Sequence, residues 1–270
     1  SPQDLPLKCI LTDLRLEKLQ LGSSKLPMNM DFHTIPKNIY LKKLILRGNL
    51  NSINVIKGII SHYPNLMTLK FFNWHPETEC TEILVHISNS LKRLENLRLP
   101  SLNGIISPII DFQSLKSLHV SKLHDETQAI NWKFLSIYSP NLEKLTIKTV
   151  ENCHLSNENI ELATMKLKEL KEICFGNEFE LDEQAYNIVK TTAKKLRKFI
   201  IFTKNIEMAR THATRINSHG LNCVILESDA EISNFIEGES VIDKGSFNTI
   251  ENIEPYIRRP RRAVERPNRR

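Results

Sequence analysis

The chain has 270 residues, 40% hydrophobic and 25% charged, which is enough for a sizeable core in an ordinary folded protein. No run approaches the ~18 uninterrupted apolar residues that a membrane-spanning helix needs. The formal net charge of +6 is local: seven Arg and one Glu lie between Arg258 and Arg270, and removing them from 37 basic and 31 acidic residues leaves residues 1–257 balanced. That balance argues against a uniformly basic, nucleic-acid-binding body.

In chain order, an apolar motif of strand periodicity recurs. It runs through Leu16-x-x-Leu19-x-Leu21, Leu41-x-x-Leu44-x-Leu46, Leu66-x-x-Leu69-x-Phe71 and Leu94-x-x-Leu97-x-Leu99. Leu115-x-x-Leu118-x-Val120 and Leu142-x-x-Leu145-x-Ile147 follow, then Leu170-x-x-Ile173-x-Phe175, Leu196-x-x-Phe199-x-Ile201 and Leu221-x-x-Val224-x-Leu226. The middle residues are 21 to 28 positions apart, close to the 20–29 residue period of leucine-rich repeats. Residues i and i+2 share a face in a strand and not in a helix, so each L-x-L predicts a strand.

Between the strands the period becomes helical. Ile53, Ile56, Ile59 and Ile60 lead into Tyr63-Pro64; Ile83, Leu84 and Ile87 recur in the next unit, and Ala185, Ile188, Val189 and Ala193 later. Asp125 and Asp182 are the expected helix caps. The expected fold is therefore α/β: a leucine-rich-repeat solenoid, a horseshoe of about nine repeats with parallel strands on the concave side and helices on the convex side. The solenoid is expected over residues 1–226. Residues 227–257 are read as an acidic C-terminal cap or linker, and 258–270 as a disordered Arg-rich tail.

In L-x-x-L-x-L-x the intervening residues should line the concave surface. Eight of them are basic and two acidic, which predicts a positive inner face and an acidic protein partner. The candidate partner-binding residues are Lys43, Arg47, Lys70, Phe72, Trp74, Arg98, His119, Lys144 and Lys148, with Phe72 and Trp74 as aromatic anchors. The competing reading is that strand lysines merely keep sheet surfaces soluble. Trp132 and Phe134 are assigned to a convex helix, and Phe202 either to the concave face or to a cap contact.

No catalytic, cofactor or metal motif is present: G-x-S-x-G, H-E-x-x-H and Gly-rich phosphate loops are all missing. Cys174 falls on the concave side without a basic neighbour to activate its thiol. Five scattered cysteines, none in C-x-x-C spacing, suit free thiols in the cytoplasm or nucleus. Binding rather than catalysis is the expected role. The alternative is a nuclear or RNA-associated factor that uses the concave face together with the Arg-rich tail; a regulator of an enzyme such as a GTPase is a third class.

Tyr63-Pro64-Asn65-Leu66-Met67-Thr68-Leu69-Lys70-Phe71 and Ser139-Pro140-Asn141-Leu142-Glu143-Lys144-Leu145-Thr146-Ile147 resemble the repeat region of F-box leucine-rich-repeat proteins. The likeness spans about residues 14–226. It implies a substrate receptor of an SCF-type ubiquitin ligase, with the repeats choosing the substrate. It also implies contact with the ligase scaffold through an N-terminal F-box. Leu5-Pro6 is similar to the opening of an F-box, but the first strand is expected near Leu16, which leaves no room for the remaining F-box helices, so the F-box is expected to be either missing from this sequence or never present.

Overall fold

The structure is a computed structural model. It describes residues 11–12, 16–22, 35–48, 52–72, 81–102, 111–124, 139–151, 167–175, 184, 187, 191, 195–202, 210–211, 213–214, 222–226 and 249–250. Among these, the strands are β1 (Lys18–Gly22), β2 (Lys43–Arg47), β3 (Thr68–Phe72), β4 (Asn96–Leu102) and β5 (Ser117–His124). They continue with β6 (Lys144–Glu151), β7 (Glu172–Phe175), β8 (Lys198–Phe202), β9 (Asn222–Leu226) and β10 (Thr249–Ile250). Helix α1 (Ile53–His62) lies between β2 and β3, and α2 (Thr81–Ser90) between β3 and β4.

All the strands join one open, parallel sheet, with β1 to β9 in sequence order and β10 beside β1. The architecture is α/β and solenoid-like. Parallel pairs require a crossover between strands, and α1 and α2 supply two of them. The register aligns the repeated motif, pairing Leu19 with Leu44, Leu44 with Leu69, Leu97 with Leu118 and Leu118 with Leu145. Thr249 and Ile250 fall within the stretch read as cap or linker, and they pair with Gln20 and Leu21 at the opposite edge from β9.

One hydrophobic core runs under the strands. Leu19, Leu44, Leu69, Leu97, Leu118, Leu145, Ile173 and Phe199 are all buried, as are their partners two residues on from Leu21 to Ile147. The same core takes in Val55, Ile56, Ile59 and Ile60 of α1 and Ile83, Leu84 and Ile87 of α2. Helix α1 forms because its Ile and Val residues recur on one face and Ser52 caps it, its Oγ accepting from Val55 N at 3.4 Å. The caps expected at Asp125 and Asp182 lie outside the described residues. Of the later helix, Gln184, Asn187 and Thr191 are helical and exposed. No helix among the described residues is long and apolar enough to cross a membrane.

Two backbone devices repeat. Before each of the strands β1 to β7 a carbonyl accepts two N–H donors from the next unit: Glu17 O takes Lys42 and Lys43, Lys42 O takes Met67 and Thr68, and Met67 O takes Glu95 and Asn96. Glu95, Lys116, Glu143 and Lys171 do the same for the units that follow them, all at 2.8–3.2 Å. Ahead of β3 to β7 a turn closes, with Leu66 N donating to Tyr63 O, Leu94 N to Leu91 O, Leu115 N to Phe112 O, Leu142 N to Ser139 O and Leu170 N to Leu167 O.

The P-N-L signature now has a physical account. Proline pre-sets φ for the second turn position, and the Asn that follows reaches back to the preceding turn. Asn65 Nδ2 donates to Ile39 O at 3.1 Å and Asn141 Nδ2 to Gln113 O at 2.8 Å, while Ser114 Oγ takes the same role toward Lys92 O at 2.7 Å. Replacing Asn141 by Ala should lower stability by about 1 kcal/mol, measured as a shift of the urea midpoint. An unchanged midpoint would show that water replaces this bond at no cost.

At the N-terminal end three polar side chains converge on the carbonyl of Leu11: His62 Nε2 at 3.2 Å, Asn38 Nδ2 at 3.5 Å and the Tyr63 hydroxyl at 3.5 Å. One turn of sequence further, His86 Nε2 sits 2.9 Å from Ser61 Oγ and 3.1 Å from Lys57 O, bridging α2 to α1. Burial is the largest influence on both imidazoles and holds each below the usual histidine value of 6.5. A depressed histidine favours the neutral form in the folded state, so the unfolded chain takes up protons first as pH falls below about 6.5. Stability contributed by these histidines is complete above that pH and declines below it until the lower folded-state values are passed. Urea midpoints at pH 7.5 and 5.5 should therefore differ, and the difference should shrink in a His62→Gln variant. Equal midpoints in the wild type would contradict the assignment.

A candidate partner-binding face

The alternation that buries the Leu rows leaves the intervening residues on the opposite, polar face of the sheet. On β2, β3 and β4 these are Lys43, Ile45 and Arg47; Thr68, Lys70 and Phe72; and Asn96, Arg98 and Pro100. Arg47 pairs in register with Phe72, and Lys70 with both Ile45 and Arg98. The Arg47 guanidinium carbon lies 4.6 Å from the centre of the Phe72 ring and that of Arg98 lies 3.9 Å from it. Three neighbouring strands thus contribute two guanidiniums held on one aromatic ring, each contact worth about 0.5–2 kcal/mol depending on desolvation.

The end of β2 is held in place for this contact. Gly48 has φ 90°, a left-handed conformation that favours glycine, and its N–H donates to Phe72 O at 2.9 Å. The strand stops there with Arg47 alongside Phe72. Gly22, in register with Arg47 on the other side, leaves open space: a Cβ added there meets no atom within 4 Å.

Charge on this face is segregated. Among the described polar-face positions of β1 to β5 there are five basic side chains (Lys18, Lys43, Arg47, Lys70 and Arg98) and no acidic one. The acids nearest in sequence precede the strands and are matched: Glu17 to Lys42 at 3.0 Å and Glu95 to Lys116 at 3.2 Å. Glu143 is likewise matched to Lys171 at 2.9 Å, and that hydrogen bond draws its carboxyl below the usual range. These exposed pairs stabilise little, but they leave the row before the strands locally neutral. The positive character stays on β1 to β4.

Of the residues singled out from sequence, Lys43, Arg47, Lys70, Phe72 and Arg98 come together on β2 to β4. His119 is one strand over, in register with Arg98, its Nε2 3.3 Å from Ser121 Oγ. Lys144 is on β6, paired with Glu172 at 3.6 Å, so its charge is balanced inside the face. The backbone of Lys148 belongs to β6, while its side chain and all of Trp74 lie outside the described residues. Trp132 and Phe134 also lie outside them, as does the side chain of Phe202.

Three positions correct the sequence expectation of an open face. Ile45 is 5% exposed, and Cys174 and Ile200 are fully buried. Strand alternation assigns a residue to a face but says nothing of what shields it there. The Cys174 thiol is pushed well up, first by burial and then by the Glu172 charge, against weaker opposing effects from Lys198 and Thr146. It is a buried free thiol with little thiolate character. A fourth correction concerns β9, where Cys223, not Val224, pairs with Phe199. A slip of one residue exchanges the two faces of a strand, so the phase expected for the last repeat is off by one residue.

The sequence reading missed the stacking of two guanidiniums on Phe72. Its only trace was an arginine on β2 in register with Phe72 and another on β4 two residues short of that register. No three metal-ligating side chains gather among the described residues. No family model matches the chain, and no curated protein is significantly similar to it.

Proposed function

We propose that this chain is a leucine-rich-repeat horseshoe whose concave surface binds an acidic segment of a protein partner. The reading places the contact on β2 to β4, around Arg47, Lys70, Phe72 and Arg98. The single observation that supports it best is the concentration of basic side chains about a partly exposed aromatic ring, on a stretch of sheet without acidic side chains among the described residues. Positive clefts speed encounter with acidic partners, and Arg and aromatic residues are the residue types enriched at binding hot spots. Pairing at the strand starts (Glu17–Lys42, Glu95–Lys116) confines the excess charge to the face.

Within this reading the resemblance to F-box leucine-rich-repeat proteins makes the bound protein a ubiquitin-ligase substrate, in the cytoplasm or nucleus, with the ligase scaffold held outside the repeats. The test is quantitative binding of an acidic model peptide to the wild type and to a Lys70→Glu/Phe72→Ala double variant. Binding that is saturable, weakened by salt and lost in the variant supports the proposal. Binding that survives the variant and vanishes on deletion of Arg258–Arg270 would instead favour a nucleic-acid-associated role for the tail.

A further inference from the structure

We infer that Arg47 and Arg98, held about Phe72 with Lys70 between them, form a receptor for one compact dianion: the phosphate of a phosphorylated serine or threonine on the bound partner. This rests on the protein-binding reading and sharpens it from a general acidic preference to a single chemical group.

Three observations carry it. The first is preorganisation. A guanidinium is a planar fork that binds phosphate oxygens in pairs, and stacking on an aromatic ring limits the rotamers it loses on binding. Here one ring restrains two such forks, at 4.6 and 3.9 Å. The second is unmet hydrogen-bonding capacity at Arg47, whose Nε is shielded from solvent and has no hydrogen-bond partner. A buried donor without a partner is costly, and a shift of the guanidinium toward a bound oxyanion would give it one. The third is room. Gly22 stands in register with Arg47, and a side chain built there would meet nothing within 4 Å. The open space lies beside the cations, where no described acidic side chain competes.

The extent of the cluster favours a phosphorylated side chain over a nucleic acid. Arg47 to Arg98 spans two strand spacings, roughly 10 Å, and the face beyond it changes character. On the far side Lys144 is matched by Glu172, and Cys174 and Ile200 are buried apolar positions. A polynucleotide needs cations repeated along a groove. The three cations gathered at Phe72 suit one dianion.

The test uses the full chain, labelled so that the arginine Nε–H signals of Arg47 and Arg98 can be followed by NMR. Probes are N-acetyl-phosphoserine, inorganic phosphate, N-acetyl-aspartate and oligouridylate, each titrated at constant ionic strength. Both arginine signals should move saturably with phosphoserine and with inorganic phosphate, and at least ten-fold more weakly with aspartate. Affinity should rise between pH 5.5 and 7.5 as the phosphate takes its second charge near pH 6. Arg47→Gln should abolish the response. So should Gly22→Glu, which places a carboxylate beside Arg47 on open surface at a position without a strained φ. Thermal unfolding of both variants should stay within a few degrees of wild type.

An equal response to aspartate, or none to phosphoserine, would overturn the phosphate assignment. If the acidic model peptide is still lost in the Lys70→Glu/Phe72→Ala variant, the broader binding face survives that failure. Oligouridylate binding far tighter than phosphoserine, with a steep salt dependence, would overturn it in favour of a nucleic acid.

Discussion

Replacing Phe71 by Ala should destabilise the protein by about 3–5 kcal/mol, while the same change one residue later, at Phe72, should cost only roughly 1–2 kcal/mol. Phe71 is fully buried, among the largest wholly enclosed side chains, and it pairs with Leu46 in the row that faces the helices. Its removal leaves a ring-sized cavity beneath β2 and β3. Phe72 faces the other way, half-buried, with two guanidiniums against its ring. Losing it forfeits the stacking contacts but opens no cavity in the core. Because a solenoid couples each unit mainly to its neighbours, the Phe71 variant should first lose amide-exchange protection in β2, β3 and β4. Urea unfolding and hydrogen exchange measure both points. Equal costs at the two positions would mean that the strand faces are misassigned.

The Lys70→Glu/Phe72→Ala variant should bind an acidic peptide about 100-fold more weakly than wild type, equivalent to ~2.8 kcal/mol. The estimate combines reversal of one cation with loss of the ring that restrains two others. Hot-spot truncations of this kind commonly exceed 2 kcal/mol, and the charge reversal adds repulsion toward the ligand. Wild-type affinity should fall steadily with added salt, and the variant's residual affinity should depend on salt far less. Fluorescence anisotropy between 50 and 300 mM salt would measure both. A loss below three-fold would show that the face around Phe72 contributes little to recognition.

Much of the architecture was legible because burial and period coincide. A Leu at each inward position, with polar residues between, has only one phase that hides the Leu rows, and the register from β1 to β8 follows that phase. The last repeat was misphased for the same reason. Cys223, Val224, Ile225 and Leu226 are consecutive apolar residues, so period two can be laid on them either way, and pairing with β8 decides the matter. Ile45, Cys174 and Ile200 show a related limit, since an apolar residue at an outward position gives no sign of how fully its neighbours enclose it.

The binding cluster was half visible. Sequence spacing put Arg47, Lys70, Phe72 and Arg98 on one face, but repeat arithmetic also put Lys144 there as an equal. Only side-chain geometry separates a lysine balanced by Glu172 from arginines held on a ring. The stacking depends on Arg98 reaching diagonally toward the end of β3, which no one-dimensional pattern encodes.

The forked carbonyl before each of β1 to β7 makes the chain editable in whole periods. Lys43 and Thr68 occupy the same register position, 25 residues apart. Excising residues 44–68 would join Lys43 directly to Leu69, and Lys42 O would then be offered to the Glu95 and Asn96 amides that Met67 O serves now. Each remaining carbonyl would keep two donors, and each Leu row would shorten by one member without changing phase. A lineage that duplicates or drops such a period alters the reach of its surface while leaving every surviving junction chemically the same.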